Sequence, residues 1–100
     1  MSTTKGIQAT TILQRVETHF LVSPMGNETV MMNTDNGDYL GLNTVATAVW
    51  DQLATPTKYE DLINYLLSEY EVDKAQCEIE VAKLLQDMQG KKMLQIHESA

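Results

Sequence analysis

The side chains able to do chemistry in this chain are few and far apart. Its two histidines, His19 and His97, stand near opposite ends, and neither has a cysteine or a regularly spaced carboxylate beside it. Metal sites and acid–base pairs need partners at fixed short intervals, so each histidine is read as a surface or partly packed residue. The single cysteine, Cys77, falls in helical step with Val81, Leu84 and Met88. That setting suits a small buried hydrophobe rather than a nucleophile. Gly26, Gly37, Gly41 and Gly90 are explained by turns, close approach or capping and do not form a phosphate-binding loop. No catalytic group, metal or cofactor is expected, and an enzyme is disfavoured. Met25, Met31, Met32, Met88 and Met93 offer an adaptable surface for peptides, but filling an irregular core accounts for most of them.

Bulk properties narrow the partners. The chain has 100 residues, enough for one domain with a small core, and is 43% hydrophobic and 21% charged, a globular balance. Only 7 residues are Lys or Arg against 14 Asp and Glu, giving a net charge of −7. Phosphate backbones and anionic membrane surfaces are bound through basic residues, so neither nucleic acid nor a membrane is an expected partner. One cysteine excludes an internal disulfide. The N-terminal stretch lacks the apolar segment of a signal peptide, and no run is long enough to span a bilayer. The expected location is cytoplasmic.

The stretch 27–53 organises the elements. Asp35, Asn36 and Gly37 make a turn signal for a two- or three-residue hairpin loop, because Asn and Gly accept positive φ. Thr29, Val30, Met31 and Met32 before it, and Tyr39, Leu40, Gly41 and Leu42 after it, read as paired strands. Met31 and Met32 then point to opposite faces. Asn43 is placed as the N-cap of a helix whose apolar face is Val45, Ala46, Val49 and Leu53, with Trp50 at its border.

Residues 1–11 are polar and expected to be frayed or disordered. An earlier strand is expected from Val16 and from His19, Phe20, Leu21 and Val22, with Ser23 and Pro24 ending it or marking an edge. The first helix should stop near Ala54, before Pro56. Thr57 and Glu60 have capping-box spacing for a second helix carrying Leu62, Ile63, Leu66 and Leu67. Asp73 opens a third helix, with Gln76 spaced for a reciprocal cap and Gly90 placed just past its end. Met93, Leu94, Gln95 and Ile96 form a short extended segment, and 98–100 a tail. The whole is an α+β, winged helix-turn-helix-like domain over 12–97: a small three-stranded antiparallel sheet followed by three helices.

The third helix has two apolar stripes. Cys77, Val81, Leu84, Leu85 and Met88 make the core face; Ala75, Ile79, Ala82 and Gln86 make a narrower one nearly opposite. If the last hairpin strand is a sheet edge beside the second stripe, the two form a groove in which an extended peptide adds as a further strand.

The pattern Gly37-x-Tyr39-x-Gly41-Leu42-Asn43, followed by Ala46, Val49, Trp50 and Leu53, resembles the PqqD-like proteins. Tyr70, Glu71, Val72 and Asp73, then Val81, Leu84, Leu85 and Leu94, extend the resemblance over roughly residues 19–96. It implies a recognition element for ribosomally made, post-translationally modified peptides, of the kind that serves lasso-peptide, quinone-cofactor and radical-based pathways. Such proteins bind the leader segment of a precursor as an added strand between the third strand and the third helix. They present it to a modifying enzyme or a leader peptidase, such as a lasso B2-type protease or a radical SAM enzyme. The peptide-binding positions implied here are Asp38, Tyr39, Leu40, Gly41 and Leu42 on the strand. On the helix the wheel supplies Ile79, Ala82, Lys83 and Gln86.

Two other classes share such a fold. A winged-helix DNA-binding regulator needs a basic recognition helix, whereas this one exposes Gln76, Glu78, Glu80, Gln86 and Asp87 against Lys74 and Lys83. A protein–protein scaffold subunit would use the same surfaces without a peptide. An uncovered edge strand also leaves a homodimer open.

Overall fold

The computed structural model describes residues 7–97. The chain runs β1 (Ile12–Arg15), β2 (Phe20–Met25), β3 (Glu28–Asn33), β4 (Tyr39–Leu42), α1 (Thr44–Gln52), β5 (Thr57–Lys58), α2 (Tyr59–Glu69), α3 (Lys74–Gly90) and β6 (Leu94–His97). The expected class holds: antiparallel strands with three helices. The expected three-stranded sheet is β2-β3-β4, so the third strand of the sequence reading is β4.

A second three-stranded sheet, β5-β1-β6, was not expected. Leu13, fully buried, is its centre, and the strand pairs Ile12 with His97 and Arg15 with Leu94. This sheet ties the start of the chain to its end. Residues 7–11 are correspondingly held, in contrast to the frayed segment expected for 1–11; residues 1–6 and 98–100 lie outside the described residues. The carbonyls of Ala9 and Thr11 accept from the amides of Glu60 and Tyr59 at 3.0 and 2.9 Å. Those are first-turn amides of α2, so backbone satisfies them where a capping box was expected. Thr57 is thereby free to point elsewhere: its hydroxyl donates to the carbonyls of Gln52 and Thr55, at the end of α1.

The β2-β3-β4 sheet turns one face inward. Phe20, Met31 and Leu42 are buried on it, while Met32 is half-buried on the outer face with exposed Leu21 and Tyr39. Pro24 belongs to β2, an outer strand. Its position pairs with Thr29 between hydrogen-bonded pairs, so the amide it lacks would have faced away from β3. The β3–β4 connection spans 34–38, longer than a two- or three-residue turn. Asn33 and Asn36 side chains accept from the Asp35 and Asp38 amides, and Gly37 holds φ 78.

Helix α1 packs on the inner sheet face. Asn43 caps it as expected, its side chain accepting from the Ala46 amide at 2.9 Å. The Thr47 hydroxyl bonds both Thr29 Oγ1 and the Leu42 carbonyl, which pins α1 to β3 and β4 and leaves buried Thr29 satisfied. Trp50 is 2% exposed, at the centre of the core rather than its border. The Arg15 guanidinium lies 4.9 Å from the Trp50 ring centre and donates to the Trp50 carbonyl at 3.1 Å. A strand outside the sequence reading therefore covers the tryptophan.

Candidate functional site

Asn33 N–H donates to the Asp38 carbonyl at 2.8 Å. Alternation along an antiparallel ladder then makes Met31–Leu40 and Thr29–Leu42 the hydrogen-bonded pairs. Tyr39 and Gly41 fall between them, so their N–H and C=O groups point out of the free edge of the sheet. Nothing in β2-β3-β4 covers that edge, because β4 is an outer strand. A Cβ at Gly41 would meet nothing within 4 Å, so the backbone there is open.

Across from this edge runs α3. A hollow of 180 Å3 lies between them, lined by Leu40, Gly41, Leu42 and Ala46 on one side and Leu84, Asp87, Met88 and Lys91 on the other. It continues past Leu84 into a smaller hollow of 110 Å3 beside Val45, Glu80 and Val81. At the opposite end it opens into a wide cleft of 540 Å3 among Asp35, Asp38, Tyr39, Lys91 and Lys92. From Glu80 to Lys91 the helix covers about 17 Å at ~1.5 Å per residue, the length of about five strand residues. Neighbouring hollows share lining residues, Leu84 and Ala46 at one end and Leu40 and Lys91 at the other, and so mark out a track along which an extended segment can lie, offering backbone hydrogen bonds to Tyr39 and Gly41.

On the strand side, the expected residues Asp38, Tyr39, Leu40, Gly41 and Leu42 all border this track. On the helix side the structure places the expected residues away from the track. Ile79, Ala82 and Gln86 lie roughly 140–160° round the helix from Leu84, and Lys83 roughly 100°, at about 100° per residue. They line none of these hollows, and Ile79 is 53% exposed on the far face. The helix side of the track is Glu80, Leu84, Asp87 and Lys91. Core packing explains the difference: Cys77, Val81, Leu85 and Met88 are buried, and Leu84 flanks them, half-buried, towards β4. The one signal in the sequence was the width of the core stripe, with Leu84 at its margin.

The α3 ends set the track's limits. Asp73 accepts from the Gln76 amide at 3.3 Å, whereas the Gln76 side chain donates to Glu80 at 2.8 Å rather than back to the cap. At the other end Gly90 is still helical and Lys92, with φ 61, takes the left-handed position expected of Gly90. Met93 and Lys92 amides donate back to Met88 and Gln89 carbonyls, a Schellman closure with Met93 and Met88 both buried.

The groups considered for chemistry stay apart. His19 Nδ1 is 3.2 Å from an Asp35 carboxylate oxygen on the exposed hairpin, while exposed His97 ends β6. Cys77 is buried, and burial, then the Glu78 and Glu80 carboxylates, push its thiol above the ordinary 9.0. That is the reverse of an activated nucleophile. Among the described residues no three His, Cys, Asp or Glu side chains gather as metal ligands. Among them, too, no helix is long and apolar enough to cross a membrane.

The family model for coenzyme PQQ synthesis protein D (PqqD) matches residues 28–94. No curated protein matches the chain. Among solved structures, TbiB1 in complex with the TbiA(beta) leader peptide is 21% identical with a TM-score of 0.72, over 86% of this chain and 99% of that one. A lasso peptide synthetase B1 complexed with the leader peptide is 23% identical with a TM-score of 0.70, over 83% and 96% of the two chains. These two share the fold described above.

Proposed function

This chain belongs to the PqqD family, and from that membership we propose that it is a non-catalytic protein that recognises the leader segment of a ribosomally made precursor peptide. The observation that carries the reading is the free edge of β4 facing a groove closed by α3. A leader segment adds there as a further strand, its backbone bonding Tyr39 and Gly41 and alternate side chains entering the hollow beside Leu84. Two similar structures hold leader peptides, which supports the class of ligand. The protein then delivers the bound precursor to a modifying enzyme or a leader peptidase. A DNA-binding role for this fold is disfavoured by Glu80 and Asp87 along the track and by the net charge of −7.

Calorimetric titration with the leader half of the precursor encoded beside the gene tests this, with duplex DNA at moderate salt as the control. Saturable one-to-one peptide binding and no DNA binding are expected. Heat only from DNA, diminishing with salt, would overturn the proposal.

A further inference from the structure

We propose that the groove selects a leader segment in which an apolar anchor has a Lys or Arg two residues away, on the side facing Glu80; this rests on the strand-addition reading above. The anchor site is the 180 Å3 hollow, comparable to the roughly 150 Å3 cavity that accepts a benzene ring. It has room for one large apolar side chain against Leu40, Leu42, Leu84 and Met88. Alternate residues of a strand face the same way about 6.6 Å apart. Glu80 precedes Leu84 by one helical turn, about 6 Å. A side chain two residues from the anchor therefore arrives at Glu80.

What waits there is chemically defined. The second hollow is lined by apolar Val45, Ala46, Val81 and Leu84 together with Asn43 and exposed Glu80. A Lys or Arg lays its methylene stem on such an apolar lining and brings its charge to the carboxylate. Among the described residues Glu80 has no basic partner; its Oε2 accepts from the Gln76 side-chain amide at 2.8 Å. An acidic peptide side chain would meet Glu80 in a chain already at −7. The other flank of the anchor is mixed, since Asp87 and Lys91 both line it. The charge preference is accordingly one-sided.

Selection from a displayed library of random peptides on the purified protein, repeated on Glu80→Lys, reads this directly. Glu80 is exposed, and matching thermal melts verify that the variant folds. The natural protein should enrich an apolar residue with Lys or Arg two positions away, and the variant should enrich Asp or Glu at that position. Titration of a selected basic peptide should show binding about tenfold weaker to the variant, regained when its Lys is changed to Glu. Selected peptides that protect the β4 amides yet show no charge preference, and bind both proteins equally, overturn the inference and leave strand addition standing. A library yielding no peptide that engages β4 overturns both.

Discussion

Lys92 closes α3 in the left-handed region, at φ 61, where a side chain costs roughly 1–2 kcal/mol and glycine costs little. The glycine that would suit the position, Gly90, sits two residues earlier in the last helical turn, with open space around it. Lys92→Gly should therefore raise stability by about 0.5 kcal/mol, and Gly90→Ala by about 0.5–1 kcal/mol, in urea unfolding. Trp50→Ala should cost about 3–5 kcal/mol in the same measurement, because the ring is buried and Arg15 covers it. An unchanged midpoint would mean that the ring contributes nothing to the core. Cys77 and Tyr59 supply a pH dependence. Burial, then Glu78 and Glu80, raise Cys77 above 9.0; burial, then Glu78 and Cys77, raise Tyr59 above 10.0. Both groups hold their protons more tightly folded than unfolded. The stability they contribute is whole below about pH 9 and is lost as pH rises through their unfolded and then folded values. A urea midpoint falling above about pH 9, with a shallower fall in Cys77→Ala, is the expected result. At this scale the sequence was legible where a residue acts on its immediate neighbours, as Asn43 and Asp73 do at their caps. It was misleading at Thr57 and Gly90, where backbone from elsewhere, or the packing of Met93 on Met88, decides the local geometry.

Among the elements, the β2-β3-β4 sheet and the three helices were legible because each carries its own periodicity and turn signals. The β5-β1-β6 sheet was not. Thr57–Lys58 is too short to show alternation, and β1 is recognisable only through pairing with a strand some eighty residues away. The same limit explains the helix side of the groove. A wheel shows that α3 has two faces but not which flank meets β4, and the stripe of Ile79, Ala82 and Gln86 turns away from it. Leu84→Arg should accordingly abolish measurable leader binding while the fold survives, because Leu84 is only half-buried. Ile79→Arg should bind as the natural chain does. The opposite ranking in a titration would place the peptide on the far face of α3.

For the whole molecule, the fold joins two sheets through one core and leaves the β4 edge open towards α3, in an acidic chain without assembled catalytic or metal-binding groups among its described residues. Recognition through backbone pairing suits that inventory, since it asks for an exposed edge and a groove rather than reactive side chains. The most direct test is residue-level amide exchange with and without the leader segment. Added-strand binding predicts that the amides of Tyr39 and Gly41, exposed in the free protein, become protected on saturation, while those of Leu40 and Leu42, already paired with β3, change far less. Saturable binding that leaves Tyr39 and Gly41 exchanging at their free rates would contradict the account.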